Sequence, residues 1–151
     1  MLFRSGGSPT DPRTQIATLA YYYLLGNPDT TFLMFYGGHE PASPWSRHWS
    51  PAAAFNVGLP QGNWSQFASG LDPTNANLTY KIMQRSYQNA LVLYKPLSYA
   101  LGKGTGTLAD ATATTHTLNG NYRVLNANGA LGGIVSSVTL RNGEGAILVR
   151  A

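Results

Sequence analysis

LTYKIMQRSYQNALVLYKPLSYALGKGTGTLADATATTHTLNGNYRVLNANGALGGIVSSVTLRNGEGAILVRA, residues 78–151, decides the fold. Within it LTYKIMQRSY (78–87), ALVLYKPLSY (90–99), ATATTHTL (111–118), NYRVLN (121–126), SSVTLRN (136–142) and GAILVRA (145–151) read as short strands with turn residues between them. Apolar and polar positions alternate in several; Tyr80 and Ile82 share one face while Lys81 points away. Pro96 ends its strand because it has no N–H to give a ladder. Asn119-Gly120 joins two strand-like runs and is the strongest hairpin signal, with Asn128-Gly129 and Asn142-Gly143 as further turns. The Gly-rich run 101–108 lacks the lysine-Ser/Thr pair of a phosphate loop. So many short strands in about 75 residues predict a mainly β fold, an antiparallel β-sandwich of two small sheets.

Residues 1–77 read as a different kind of structure leading into that sandwich. After a Gly/Ser/Pro-rich lead-in, Asp11-Pro12 supplies an N-cap and a first helical residue. Ile16, Leu19, Ala20, Tyr23 and Leu24 follow at helical spacing, and Gly26 with Pro28 stops the helix. The three consecutive tyrosines 21–23 cannot share one direction, so at least one is expected at the surface or an interface. Thr30 to Tyr36, TTFLMFY, is almost wholly apolar and reads as a strand buried on both faces. Next comes Gly37-Gly38-His39-Glu40-Pro41, then a long Trp- and Pro-rich segment, 42–75, read as loops around a short helix near Ser50 to Phe55, capped by Ser50 with Pro51 at the first helical position. Exposed apolar surface on the helix and on 30–36 predicts self-association into a homo-oligomer.

Charged residues make up only 11% of the chain against a usual share of about 25%, so the surface is built from uncharged polar side chains. Such a surface suits neutral ligands such as sugars and an extracellular or periplasmic setting. The net charge of +4 comes from cations spread singly from Arg4 to Arg150, which argues against a nucleic-acid footprint. No apolar run approaches the ~20 residues of a membrane span. The lack of cysteine excludes disulfides, thiolate metal sites and cysteine nucleophiles.

Of the six carboxylates, Asp11 reads as a helix cap, Asp29 and Asp72 as turn formers, and Asp110 and Glu144 as loop residues. Glu40 alone follows a buried strand in a Gly-rich loop, so it is the one candidate acid or base. His39, Glu40 and His48 match no metal-ligand spacing, and neither a metal nor another cofactor is expected. The stronger signal is aromatic. Tyr36, Trp45, Trp49 and Trp64 lie among His39, Arg47, His48, Asn63 and Gln66, and a flat ring beside donors and acceptors suits a sugar's apolar face and hydroxyl rim. The plainer role for the same tryptophans is packing, since large aromatics contribute heavily to burial.

Taken in order, Arg85-x-Tyr87-x-Asn89-Ala90-Leu91-Val92-Leu93-Tyr94-Lys95-Pro96, then Tyr122-Arg123-Val124-Leu125, Ser137-Val138-Thr139-Leu140 and Gly143-Glu144-Gly145-Ala146-Ile147-Leu148, the chain resembles the C-terminal β-sandwich of glycoside-hydrolase-like proteins. It is most similar to the glycosyl-hydrolase-like family 15 group. The resemblance covers residues 11–151. It implies an upstream (β/α)8 barrel that does the chemistry, with Thr14 to Tyr36 as its last helix and strand. Hydrolysis of that kind needs two carboxylates across one cleft, and this piece carries at most part of such a pair.

The expectation is therefore the C-terminal portion of a glycoside-hydrolase-like protein. It would steady the barrel and add to polysaccharide binding through Tyr36, His39, Trp45, Arg47, His48, Trp49 and Trp64, without being catalytic alone. An autonomous carbohydrate-binding module and an assembly protein with buried aromatics are the alternatives, and a small hydrolase built on Glu40 is a more distant one.

Overall fold

The computed structural model describes residues 10–26, 50–100, 103–104 and 106–151. Among these residues one α-helix, α1 (Pro12–Leu25), precedes eight strands: β1 (Ser65–Asp72), β2 (Asn75–Ser86), β3 (Ala90–Lys95), β4 (Tyr99–Ala100), β5 (Lys103–Gly104), β6 (Thr114–Leu125), β7 (Leu131–Leu140) and β8 (Glu144–Arg150). The fold is mainly β, as expected. The strands do not split into two sheets, however. They form one continuous antiparallel sheet in the order β5-β4-β2-β3-β8-β6-β7, with β1 paired to β2.

The sheet curls, so its inner face closes on itself. Leu91 and Leu93 of β3 and Leu148 of β8 lie at the bottom of the curl, with Tyr80 and Ile82 from one side and Leu118, Tyr122, Val138 and Leu140 from the other. The two lips meet where His116 of β6 packs edge-on to Phe67 of β1 and Tyr80 of β2, at ring-centroid distances of 6.1 and 5.9 Å. The outer face of the same central strands is covered by α1 and the 50–57 segment. Leu19, Ala20, Ala52 and Val57 pack there on Ala90, Val92, Ile147, Val149 and Leu125. Strands β3 and β8 are therefore buried on both faces.

The helix forms as its sequence predicts. Asp11 caps it, accepting from the Arg13 and Thr14 N–H groups, and Pro12 opens it. The predicted face of Ile16, Leu19, Ala20, Tyr23 and Leu24 is the one that packs. All three tyrosines are half-buried: Tyr21 lies against Tyr94 and Tyr23 against Tyr87, with centroids 5.1 and 5.7 Å apart. The three fan around the helix, and Tyr22 lies edge-on to Tyr23, with centroids 5.3 Å apart.

Three local expectations change. Asn119-Gly120 is not a hairpin turn. It sits inside β6, where Gly120 at φ 123° marks a bulge between Thr117 and Tyr122. The hairpin to β7 is made by Asn126 to Ala130, with Gly129 at φ 83°. The stretch around Ser50 is a 3-10 turn, Pro51–Ala54, and Ser50 does not cap it; its hydroxyl donates to the Ala127 carbonyl at 2.9 Å. Finally, Ser65–Asp72, within the segment read as loops, is the strand β1, paired along β2. The expected strand 30–36 and the loop 37–49 lie outside the described residues.

Candidate functional site

Of the eight candidate site residues, Tyr36, His39, Glu40, Trp45, Arg47, His48 and Trp49 lie outside the described residues. Trp64 is placed. It stands one residue before β1 and is 52% exposed. Residues on either side of it are held by β2. Arg85 Nε donates to the Gly62 carbonyl at 3.0 Å, and Gln84 Nε2 donates to Ser65 Oγ at 3.2 Å. The ring is thus presented to solvent from a segment anchored on either side of it.

Arg85 also ties this loop to the end of α1. Its Nη1 donates to the Gly26 carbonyl at 2.8 Å and the Tyr23 carbonyl at 3.2 Å. A helix ends with carbonyls that lack partners, and a guanidinium there answers both the missing donors and the negative end of the helix dipole. The Tyr87 hydroxyl adds a third contact, donating to Tyr23 O at 2.6 Å. A cavity of 80 Å³ lies at the same helix end, lined by Tyr22, Tyr23, Val57, Leu59, Pro60 and Tyr87 among others. Burial, with Tyr22 and Tyr87 close by, pushes the Tyr23 phenol up to about 12, so it stays protonated. Gly26 is the last described residue before 27–49, so the chain leaves for its other candidate residues from this corner.

The described carboxylates are all engaged. Asp11 accepts from the Thr14 hydroxyl at 2.8 Å, and that bond, with the backbone N–H groups beside it, holds it below the usual carboxylate range. Asp72 is buried, which alone would raise its pKa. Hydrogen bonds from Ser98, Thr74 and Asn142 outweigh that and hold it well below the usual range. Asp110 pairs with Arg13 at 3.2 Å and Arg141 at 2.8 Å. Glu144 accepts from the Arg141 N–H at 3.0 Å. No two of these face each other across an open cleft among the described residues.

Sequence reasoning passed over the polar interior. Lys95 is fully buried and donates to the Thr112 carbonyl, Thr114 Oγ1 and the Leu140 carbonyl at 2.7, 2.9 and 3.3 Å. Its ammonium lies 4.4 Å from the centre of the Tyr80 ring, a cation–π arrangement. The signal was there in the strand period: Lys95 follows Leu91 and Leu93 on the inner face of β3. This cluster is enclosed and serves the architecture.

No helix among the described residues is long and apolar enough to cross a membrane. The class defined by these features is a mainly β unit, one curled antiparallel sheet with a helix on its outer face and a fixed, exposed tryptophan at one edge. No protein-family profile, curated protein or solved structure matches the chain.

Proposed function

We propose that this chain is the C-terminal portion of a glycoside-hydrolase-like protein, and that it contributes polysaccharide binding without being catalytic by itself. The observation that carries the reading is Trp64: half-exposed, braced by Arg85 and Gln84, and flanked by the exposed Asn63 and Gln66. A large aromatic left in water on an anchored segment suits the apolar face of a sugar ring, and amides at its rim suit the hydroxyls.

Affinity electrophoresis against soluble polysaccharides tests this. The wild type is expected to be retarded by at least one glycan, and Trp64→Ala, if it keeps its cooperative unfolding, to lose that retardation about tenfold or more. Trp45→Ala and Trp49→Ala, run beside it, report whether the rest of the predicted aromatic set shares the surface. A wild type that no glycan retards, or a Trp64→Ala protein retarded as strongly as wild type, overturns the reading.

A second reading, assembly into a homo-oligomer, is favoured by β7. Among the described residues that strand pairs only with β6, and it carries Ile134 at 60% and Leu131 at 40% exposure. An open edge with apolar side chains is a surface on which strands of another copy pair. Sedimentation of wild type and Ile134→Lys separates the two readings: assembly through this edge is abolished by the charge, and sugar binding at Trp64 is untouched.

A further inference from the structure

We propose that the groove between the first turn of α1 and the β6–β7 hairpin is a saccharide subsite, taking one neutral hexose unit of a glycan chain. It deepens the carbohydrate reading and rests on it for the ligand class, but its residues are separate from Trp64. The groove has a volume of 410 Å³ and is lined by Arg13, Ile16, Val124, Asn126, Asn128 and Glu144, among others. That size is within the range of about 300–1,000 Å³ common for small-molecule sites.

Its walls are fixed before binding. On one side the first turn of α1 is held by the Asp11 cap and by the Arg13–Asp110 pair at 3.2 Å. On the other, the hairpin is locked by Asn126 N–H to Ala130 O at 2.9 Å and by Ala130 N–H to Asn128 Oδ1 at 3.0 Å. The hairpin is also tied to the 50–52 segment, since the Ala127 carbonyl accepts from the Ser50 hydroxyl and the Ala52 N–H. Ordering costs on binding are correspondingly small.

The chemistry of the lining selects the ligand. Arg13 Nε stands 3.9 Å from Glu144 Oε1, so the fixed charges oppose one another and neither an anion nor a cation gains a clear advantage. The amide of Asn126 makes no hydrogen bond among the described residues, and Asn128 has spent only its oxygen, so its NH₂ remains to donate. An amide that both donates and accepts matches a hydroxyl, which does the same. Ile16 and Val124 supply the apolar surface against which a pyranose C–H face rests.

Backbone amide NMR shifts, followed while glucose, galactose, mannose and N-acetylglucosamine and their short oligomers are added in turn, test the proposal. Arg13, Asn126, Asn128 and Glu144 are expected to shift with at least one sugar, in wild type and equally in Trp64→Ala. Asn126→Ala is expected to weaken that response about tenfold. The side chain it removes is exposed and makes no hydrogen bond among the described residues, so loss of folding does not confuse the result. Shifts confined to Trp64 and its neighbours overturn the groove and leave the proposed function standing; no shift anywhere overturns both. A variant lacking residues 1–9 whose groove amides move without any sugar also overturns the subsite, because the groove is then occupied by the chain's own lead-in.

Discussion

Lys95 carries its charge to a place with no exposure, and the residues around it are arranged for an ammonium. Burial lowers its pKa, while Asp72 and Glu144 pull the other way. Replacing it with Met leaves the Thr112 and Leu140 carbonyls and the Thr114 hydroxyl without their donor in a dry interior. Relief of the buried charge offsets part of that, so Lys95→Met is expected to lower stability by about 2–4 kcal/mol in urea titrations. The same cluster sets the state of His116. Thr114 Oγ1 accepts from Lys95 and also pairs with His116 Nε2, 3.0 Å away, where the hydroxyl donates or accepts according to the imidazole's tautomer. Burial first, and Lys95 second, lower the His116 pKa. The unfolded chain therefore binds the proton more readily than the folded one. Stability is full above the unfolded value of about 6.5 and falls as pH drops below it, levelling off below the folded pKa. His116→Gln is expected to flatten that slope between pH 7 and pH 5, measured as the urea midpoint. An unchanged slope would place the proton-linked loss elsewhere.

Helix α1 and strand β8 approach so closely that only glycine fits between them. A Cβ at Gly145 would lie 2.5 Å from the Ala20 methyl carbon, 3.2 Å from the Leu93 carbonyl oxygen and 3.3 Å from the Ala17 Cα. Two of those three are backbone atoms of packed elements, so little can yield. Gly145→Ala is expected to cost about 1–3 kcal/mol and to displace α1 from the sheet, seen as loss of near-UV dichroism from the tyrosines. At this scale the sequence was legible wherever a local feature fixes an outcome by itself. The cap at Asp11, the helical spacing of Ile16 to Leu24 and the block at Pro96 all acted as their chemistry requires. It was not legible where a partner decides. Asn119-Gly120 fixes a left-handed backbone, but a hairpin and a bulge both use one; only the continuing ladder to β7 and β8 makes it a bulge. SQFASGLD has neither alternation nor β-branched residues, and it becomes β1 because the long β2 offers it an edge. Trp64 was picked out as a candidate on composition, and its bracing by Arg85 and Gln84 depends on that same pairing. The two-sheet expectation failed for a related reason: segments that read as strands do not say whether the chain of pairings between them is broken, nor that ATATTHTL and NYRVLN run on as the single strand β6.

The described residues form two cores, one on each face of β3 and β8, and these strands belong to both. The inner core needs the curl that β3 and β8 anchor, and the outer face of those strands, Ala90, Val92, Ile147 and Val149, needs a cover. That cover is α1 with the 50–57 segment, so a boundary drawn between residues 77 and 78 divides what packs as one unit: β1 and the outer cover would leave with the first half. A variant beginning at Ser50 removes Leu19, Ala20 and Leu24, each nearly fully buried, and bares the strands beneath them. Burying a side chain of this kind is worth about 1.5–3 kcal/mol, and the newly exposed strands add a loss of similar size, which together rival the whole stability of a domain, about 5–15 kcal/mol. The truncated protein is expected to show no cooperative urea transition and to bind a hydrophobic dye at neutral pH, while residues 10–151 unfold in one step. A truncated chain that keeps a sharp transition would make the sheet a self-sufficient domain and α1 an attachment. Loss of the transition would mean that a saccharide surface at Trp64 depends on the helix at its back, because Arg85 reaches the loop before Trp64 and the end of α1 with one guanidinium.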